Sequence, residues 1–394
     1  TTAVECKLLG RRCIGLDIND KAIELAKKNL NFSIESQQLT FLDEKNNIEI
    51  YEPTLMIGDA RDLSFLPDNS IDLICAHPPY ANIIHYTDSK EGDLSFLDVD
   101  EFLKEMIKVA KESFRVLKPG RQCAILIGDI RRKKHIIPLG FKLINVYLSA
   151  GFKLRELVIK RQHNCKTTGF WYAKSIKYNF LLLAHEYLPI FEKPKTPYPI
   201  SAGEKETEYG LVVSTLEKPS LKRKLKKLET TTVWILPKND FEEYLNKNVI
   251  DRYSNGRNYS IITFVSYPQS KVNFTEKIEQ SGNKELLFVK SPFLSDTSSR
   301  SNIEHYLNKI KEIVNRELPN INKGGFLVIQ TQDVRIDGYI EPLAIRLVDM
   351  LTHNNLWLKE IVIVTQDESN FIKQNSGNYL RITHQYLIIY EVKG

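Results

Sequence analysis

The sequence has 394 residues, of which 42% are hydrophobic and 26% charged, as expected for a folded protein with apolar cores and not for a disordered chain. A chain of this length usually forms two domains. It contains no run of about 18 apolar residues, so no helical membrane span is expected, and the segment 1–10 lacks the basic start and apolar stretch of a signal peptide.

The cysteines and the net charge restrict the chemistry further. Five cysteines are scattered along the chain without a CxxC pair, which argues against a zinc site and against a disulfide framework. We therefore expect no metal and a reducing, cytoplasmic location. The net charge of +6 is compatible with a polyanionic partner, although lysines on solvated faces give the same value.

Short apolar runs alternate with segments of helical periodicity along the first half of the chain. A strand over 12–18 precedes a helix that Asn19 or Asp20 can cap. Further along, we predict strands at 54–58, 71–76, 122–127, 153–160 and 178–184, helices at 99–116 and 138–150, and a turn at 118–120. Strands that alternate with helices predict an α/β fold with a parallel, doubly wound sheet.

The second half of the chain repeats the first. Residues 128–159 align without a gap to 332–363, and 180–193 align to 380–393. A long ungapped match predicts a tandem duplication, which with two copies is a pseudo-dimer of domains. The segment rich in Pro, Lys and Glu between the copies predicts a linker. The expected division is 1–193 for the first domain, 194–228 for the linker and 229–394 for the second domain, with 231–237 and 260–265 as candidate early strands.

The motif His77-Pro78-Pro79-Tyr80 follows directly on the predicted strand 71–76. Alone, it could be an ordinary loop turn. At the end of a buried strand it resembles motif IV of the S-adenosylmethionine-dependent DNA amino-methyltransferases, usually (Asp/Asn/Ser)-Pro-Pro-(Tyr/Phe/Trp). The resemblance implies a Rossmann-like methyltransferase fold, S-adenosyl-L-methionine as cofactor, and adenine N6 or cytosine N4 of DNA as the target. His77 departs from the family pattern; a neutral imidazole accepts one hydrogen bond, but it does not indicate which base is methylated.

The resemblance also implies roles for the four motif residues. The first side chain and the carbonyl of the first proline accept hydrogen bonds from the target amino group, whose lone pair is otherwise delocalised into the base. The prolines fix the backbone that presents this carbonyl. The aromatic residue stacks on a base flipped out of the duplex, and methyl transfer is then direct. The expected catalytic residues are therefore His77, Pro78, Pro79 and Tyr80.

The resemblance extends to the cofactor side. The segment 1–20 resembles the second half of motif I followed by motif II, where a Gly-Ser-Gly loop would come before Thr1 and bring the backbone close to the cofactor. The sequence as printed lacks this loop, so we expect that it was left out or that another segment supplies it. Asp17 matches the acid that binds the cofactor ribose, and Asp59 matches the acceptor for its adenine amino group; a helix cap is the alternative for both. The implied cofactor residues are Thr1, Thr2, Asp17, Ile18, Asp59, Ala60 and His77.

Two basic segments are candidates for nucleic-acid contact. The run that begins at Arg131 follows a predicted strand and could neutralise phosphates, although a solvated loop has the same pattern. The segment 161–178 mixes basic with aromatic residues, which suits contact with a flipped base; a packed hairpin that buries Trp171 is the alternative. The expected nucleic-acid residues are Tyr80, Arg131, Arg132, Lys133, Lys166 and Trp171.

The second copy lacks the chemistry of the first. Ser291-Pro292-Phe293 stands where the first copy has its motif and lacks one proline. We therefore expect a structural role, DNA contact or target recognition for this copy. The whole chain is expected to be a site-specific DNA methyltransferase in a restriction-modification or phage-defence system. Another subunit could supply target recognition or a linked nuclease, because the loop 81–98 is short.

Two other functions remain open. A catalytically inactive, methyltransferase-like subunit of a nucleic-acid-binding complex would account for His77 and for the absent glycine loop. An RNA-base methyltransferase would normally carry a separate RNA-binding module, and the sequence shows no recognisable one.

Overall fold

The computed structural model describes residues 2–33, 49–83, 85–88, 91–162, 168–195, 210–215, 228–267, 283–291, 300–351, 355–367 and 379–393. The elements of the first half are α1 (Thr2–Leu8), β1 (Ile14–Asp17), α2 (Asp20–Asn29), β2 (Thr54–Ile57), β3 (Ile71–Ala76), α3 (Val99–Val116), β4 (Leu117–Ile125), β5 (Ile130–Arg132), β6 (His135–Ile137), α4 (Leu139–Ser149), β7 (Lys153–Arg161), α5 (Thr168–Lys177) and β8 (His185–Glu192). Single turns of 3-10 helix lie at Ala81–Ile83 and Leu94–Phe96.

The second half contains β9 (Gly210–Thr215), β10 (Val233–Leu236), α6 (Phe241–Tyr253), β11 (Tyr259–Tyr267), β12 (Lys284–Lys290), α7 (Arg300–Glu317), β13 (Ile321–Thr331), β14 (Val334–Ile336), β15 (Tyr339–Glu341), α8 (Leu343–Leu351), β16 (Leu356–Gln366) and β17 (Gln385–Val392). Within the described ranges, no helix is both long and apolar enough to cross a membrane.

Helix α3 shows how local sequence determines where a helix of the first half begins and which side it buries. The Asp98 carboxylate accepts hydrogen bonds from the backbone N–H groups of Asp100 and Glu101, so the helix begins where the sequence predicted. Phe102, Met106 and other apolar residues at helical spacing are buried along one stripe. This stripe packs into the main core, and α3 thereby supports the strand that ends in the motif.

The sheet of the first half is mixed, so the predicted parallel sheet is correct for only part of it. Its order is β3-β4-β8-β7; β3 and β4 are parallel, whereas β8 is antiparallel to both of its neighbours. Strands β1 and β2 form a separate parallel pair. The predicted turn at 118–120 lies inside β4, where the pairing moves from Ile71–Leu117 to Leu73–Gln122. The extra residues make an irregularity in the strand.

The second half contains a larger sheet, with the order β10-β16-β17-β13-β12-β11-β9 among the described strands. The candidate early strands 231–237 and 260–265 are confirmed as strands in β10 and β11. The predicted linker 194–228 is not irregular throughout, because β9 lies within it and pairs antiparallel with β11. Most of the remaining linker lies outside the described residues.

The two halves contain matching elements in the same order. The series β3, α3, β4, β5, β6, α4, β7, β8 corresponds to β12, α7, β13, β14, β15, α8, β16, β17. The sheet neighbours also match, since β3-β4-β8-β7 corresponds to β12-β13-β17-β16 with the same strand directions. One cluster of buried apolar side chains includes residues of both halves, such as Leu139 and Leu343. The halves therefore share a core.

Equivalent residues of the two halves make reciprocal contacts across their boundary. Arg131 of β5 forms an ion pair with Glu360 of β16, and Arg335 of β14 forms one with Glu156 of β7 at 2.6 Å. Each arginine also donates to a backbone carbonyl of the opposite strand, at Lys359 and at Arg155. The hairpin of each half is thus fastened to the sheet of the other.

The segment 178–184 is not a strand, contrary to the prediction, and the strand β8 begins only at His185. Its first residues bond back to α5, and Leu181 and Leu182 bond to the second half. Leu181 N–H donates to the Glu360 carboxylate at 2.9 Å, and Leu182 N–H donates to the Thr230 carbonyl at 2.8 Å. The apolar run was mistaken for a strand because it is buried against this neighbour.

Candidate functional site

The motif lies at the carboxyl end of β3, as its sequence position predicted. His77 is exposed, and the following Pro78, Pro79 and Tyr80 are half-buried. The His77 Nε2 atom is 3.2 Å from the Tyr80 hydroxyl, and the two rings meet edge to face with centroids 5.7 Å apart. The structure thus brings His77 and Tyr80 into direct contact.

The Tyr80 hydroxyl is held from the opposite side by Glu186 of β8. It donates to Glu186 Oε1 at 2.5 Å, and Lys160 Nζ donates to Glu186 Oε2 at 2.7 Å. Burial raises the pKa of Glu186, but the hydrogen bonds from Lys160 and Tyr80 outweigh it and hold the pKa below its ordinary value. Burial and the Glu186 carboxylate raise the pKa of Tyr80 well above its usual range. A neutral tyrosine thus faces an ionised glutamate.

Sequence reasoning missed this role of Glu186. The available signal was a carboxylate inside a run of mostly apolar residues, since a carboxylate on a buried strand needs a partner. Gly128 completes the arrangement, because a Cβ there would lie 3.0 Å from Tyr80 Cε1. The motif tyrosine therefore has a fitted place between Gly128 and Glu186.

Asp17 closes β1 and is exposed. The helix-cap alternative is wrong for this residue, because Asn19 is the N-cap of α2 and accepts from the backbone N–H of Lys21 at 3.0 Å. Asp17 accepts from Asn19 N–H at 2.8 Å, which orients its carboxylate at the strand end. An exposed acceptor at the carboxyl end of a parallel strand suits the hydroxyls of a ribose.

Asp59 follows β2 and is bound by Arg61. The Arg61 Nε atom lies 3.0 Å from Asp59 Oδ1 and 2.9 Å from Oδ2, and Arg61 also pairs with Glu105 of α3 at 2.5 Å. Burial raises the pKa of Asp59, and the hydrogen bonds and charge of Arg61 outweigh it, so its pKa lies below the ordinary value. Asp59 is therefore an ionised acceptor in a fixed position.

The loop after the motif joins these two acids. Gly92 has φ 86°, and a Cβ on it would lie 2.9 Å from Ile18 Cδ1, 3.0 Å from an Arg61 guanidinium nitrogen and 3.4 Å from Asp59 Oδ2. Nearby, the Asn19 side-chain amide donates to the Tyr86 carbonyl at 2.8 Å. The ends of β1 and β2 thus meet the segment that follows β3, which places the predicted cofactor residues Ile18 and Asp59 together.

Replacing Gly92 by alanine is expected to destabilise the packing of the ends of β1 and β2 against the segment that follows β3. A left-handed backbone costs a residue with a Cβ about 1–2 kcal/mol, and the new methyl group would push against Ile18 and Arg61. Urea unfolding should show a lower free energy of unfolding by that amount or more. Gly256 has φ 75° with nothing within 4 Å of its Cβ position, so Gly256→Ala is the matched control for backbone strain alone. Equal losses in the two variants would show that the Ile18 and Arg61 contacts cost nothing.

The other predicted cofactor residues have less definite places. Thr2 begins α1, and Ala60 is exposed directly after Asp59. Thr1 lies outside the described residues.

The second half has Ser291 at the place of the motif. Ser291 is buried and its carbonyl accepts from the Tyr306 hydroxyl at 3.4 Å, whereas the prediction for Pro292 and Phe293 falls outside the described residues.

The structure separates the predicted nucleic-acid residues into two groups. Arg131 is not available for a phosphate, because its guanidinium is bound to Glu360 and to the Leu181 carbonyl. Arg132 and Lys133 are exposed at the tip of the β5–β6 hairpin. Trp171 is exposed on α5 with Lys174 Nζ 4.6 Å from its ring centre, so the packed-hairpin alternative for this segment is wrong. Lys166 lies outside the described residues.

Comparisons with known proteins place the chain among DNA methylases. The N6/N4 methyltransferase family model, described as DNA methylase, matches residues 71–273, slightly more than half of the 394 residues. The Type II methyltransferase M.MthZI of Methanothermobacter thermautotrophicus is 28% identical over 153 residues, 34% of this chain and 43% of that protein. The Type II methyltransferase M.BglII of Bacillus subtilis is 29% identical over 137 residues, 32% of this chain and 36% of that protein.

The chain thus spans less than half the length of these two relatives. Among solved structures, a SAM-dependent methyltransferase of Methanosarcina mazei is 16% identical with a TM-score of 0.31, over 48% of this chain and 86% of that chain.

Proposed function

Since the chain belongs to the DNA methylase family, we propose that it transfers a methyl group from S-adenosyl-L-methionine to an exocyclic amino group of a DNA base, adenine N6 or cytosine N4. The observation that carries this proposal is the placement of the His77 motif at the end of β3, with Tyr80 held by Glu186. A polar acceptor beside an aromatic face is what a flipped amino base requires.

The residues at the ends of β1 and β2 fit the cofactor. The exposed carboxylate of Asp17 suits the ribose hydroxyls, and the ionised Asp59 suits an amino group of the cofactor adenine. When bound, S-adenosyl-L-methionine supplies an electrophilic methyl group on a sulfonium. This chain's part is to hold the target amine beside that group, to accept its hydrogen bonds through His77 and the Pro78 carbonyl, and to place the base against Tyr80.

We further propose that the DNA lies across the face formed by the motif and the exposed hairpin tip. Arg132 and Lys133 are exposed there, and Arg132 donates to the side chain of Asn82, two residues after the motif. Cations next to the base pocket would bind the flanking phosphates. Trp171 offers an exposed ring on α5 for an unstacked base. Target recognition from another subunit and a defence context are part of the same proposal.

The second half is proposed to be a decayed copy of the first. The matching order of elements and the reciprocal pairs Arg131–Glu360 and Arg335–Glu156 support a pseudo-twofold relation between two units, with 1–193 and 229–394 as the units. Its role would be to hold the first half in place, since each hairpin binds the opposite sheet.

Comparing the two halves also suggests a further strand beside β3. In the second half, β11 pairs with β12 and α6 covers it, so Leu286 and Phe288 are fully buried. Leu73 of β3 aligns with Leu286 and is 58% exposed, and the free edge of β3 has no neighbour among the described strands. A strand with a glycine-rich loop, from this protein or another, would fill this place and complete the cofactor pocket.

Methyl transfer to DNA tests the proposal through His77. With tritium-labelled S-adenosyl-L-methionine and mixed-sequence DNA, His77→Ala is expected to lower the rate on the order of a hundredfold, because an acceptor for the amine is lost. Cofactor affinity, measured by calorimetry, should stay within about twofold, since the Asp17 and Asp59 contacts remain. His77→Asp restores the usual acceptor of the family and should retain transfer. His305→Ala, at an exposed position on α7, is the control.

The inactive-subunit alternative predicts another pattern. It would be preferred if the full-length protein and His77→Asp both bind the cofactor but transfer no methyl group to DNA. Transfer to RNA in preference to DNA of the same sequence would favour the RNA-base alternative.

A further inference from the structure

A chain of hydrogen bonds runs from the buried Glu186 to the exposed His77. Glu186 is 7% exposed on β8, and Tyr80 bridges it to the His77 ring with distances of 2.5 and 3.2 Å. The sequence separation of 106 residues between Tyr80 and Glu186 means that the fold, and not the motif itself, makes this link. The chain ends on the residue that departs from the family pattern.

The protons in this chain can be assigned one by one. Both oxygens of an ionised Glu186 are acceptors: Oε2 for the Lys160 ammonium and Oε1 for the Tyr80 hydroxyl, and the Gln162 side chain also donates to the carboxylate. Tyr80 has a single proton and gives it to Glu186, so its oxygen can only accept from His77. The Nε2 atom of His77 must therefore carry a proton. In a neutral imidazole, the other nitrogen, Nδ1, then has a free lone pair.

We propose that Glu186 is a positioning residue which, through Tyr80, fixes His77 as the Nε2–H tautomer so that Nδ1 accepts from the target amine. This inference rests on the proposed function and adds the orientation of its acceptor. It also gives a role to histidine at the first motif position, since the carboxylate of Glu186 on β8 orients it through Tyr80.

The reaction step balances with these groups. The amino nitrogen forms a bond to the methyl carbon while the bond from carbon to sulfur breaks, and S-adenosylhomocysteine leaves. The methylated nitrogen carries one proton too many, and this proton passes to His77 Nδ1. The resulting imidazolium donates through Nε2 to Tyr80, and the Glu186 charge stabilises it before the proton passes to water. No oxidant or further reactant is needed.

The tautomer can be measured directly. The chain has eight histidines, and nitrogen-15 spectra of histidine-labelled full-length protein, assigned with His77→Gln, report which ring nitrogen of His77 is protonated. We expect Nε2–H in the wild type. In Glu186→Leu the Tyr80 proton has no carboxylate to bind and turns to His77 Nε2, so the signal should change to Nδ1–H. Lys160→Met, which removes the ammonium partner of Glu186 and leaves its bond to Tyr80, should keep the wild-type pattern.

Activity then distinguishes positioning from mere packing. Glu186→Leu should lower methyl transfer on the order of tenfold or more with unchanged cofactor affinity. Adding Tyr80→Phe removes the misdirected hydroxyl but keeps the ring, so the double variant should return to Nε2–H and regain part of the lost rate. A structural role for Glu186 would not give recovery from a second substitution.

A second pair of variants covers the case in which Glu186→Leu does not fold. Glu186→Gln keeps the shape of the side chain and should slow transfer when Tyr80 is present but have little effect in combination with Tyr80→Phe. Additive effects of these two substitutions, or an unchanged tautomer in Glu186→Leu, would overturn the proposal. If the spectra behave as expected but no variant, including the wild type, methylates DNA, the proposed function fails while the orientation of His77 stands.

Discussion

Replacing Arg131 by alanine is expected to lower the free energy of unfolding by about 3–5 kcal/mol, because it leaves a buried carboxylate without its cation. The Glu360 side chain is 1% exposed and pairs with the Arg131 guanidinium across the boundary between the halves. Burial raises the pKa of Glu360, and the Arg131 charge and hydrogen bonds counteract this only in part. Truncating Arg131 therefore removes the main interaction that offsets the free-energy cost of burying the Glu360 carboxylate.

Urea unfolding of full-length variants measures this effect, and two controls locate it. Arg335→Ala breaks the equivalent pair and should cost less, since the Glu156 side chain is 9% exposed and can be hydrated more readily. Arg132→Ala, at the exposed neighbouring position, should change stability by less than about 1 kcal/mol. By contrast, Arg132→Ala and not Arg131→Ala should reduce the salt dependence of DNA binding. If Arg131→Ala keeps the wild-type stability and reduces the salt dependence of DNA binding, Arg131 contacts DNA as the sequence predicted.

Local sequence predicted the parts of the fold that depend on neighbours in the chain. Helix α3 occupies the predicted range because Asp98 caps it and its apolar residues recur at helical spacing. Strand β3 was predicted within its observed bounds because an apolar run ends at a proline pair. The same reasoning placed Asp17 and the motif at strand ends, which is where parallel strands present functional groups.

Contacts between distant segments could not be predicted in this way. Arg131 was expected to bind phosphates because a basic run looks the same whether it meets solvent, DNA or a buried acid. Glu360, its partner, is 229 residues away in the sequence. The apolar run 178–184 was read as a strand for a related reason, since burial against the other half and burial in a sheet leave the same apolar pattern. The alignment of the halves did match Arg131 with Arg335 and Glu156 with Glu360, but it gave no sign that these residues pair crosswise.

Asp129→Asn is expected to change how stability depends on pH, by up to about 4 kcal/mol between pH 4 and 8 at about 1.36 kcal/mol for each unit of pKa. Asp129 is buried directly before β5, and it accepts from Gly140 N–H in the first turn of α4 at 3.0 Å and from the Tyr187 hydroxyl at 3.1 Å. Burial raises the pKa of its carboxyl from 3.8 to about 7, against these hydrogen bonds. Asparagine keeps the shape and the acceptor for Gly140 but does not titrate.

The sign of the effect follows from proton counts. Between pH 4 and 7 the folded protein holds the Asp129 proton while the unfolded chain releases it, so this residue makes stability fall as pH rises. His185 acts in the opposite direction, because burial lowers its pKa from 6.5 to about 3 and stability is lost as pH falls through that range. The wild-type profile therefore mixes both groups. The difference between Asp129→Asn and wild type isolates the aspartate.

Urea unfolding at several pH values should show Asp129→Asn less stable than wild type near pH 4.5, with the gap closing or reversing by pH 8. Asp333→Asn should behave in the same way. Asp333 holds the equivalent place directly before β14, accepts from Ala344 N–H in the first turn of α8 at 3.2 Å, and has a pKa that burial raises to about 7. Asp72→Asn, at an exposed carboxyl whose pKa is lowered by Lys118, should show a constant difference above pH 5. A constant difference for Asp129→Asn as well would mean that Asp129 is ionised in the folded protein. The Tyr187 and Gly140 hydrogen bonds would then stabilise its charge more than burial opposes it.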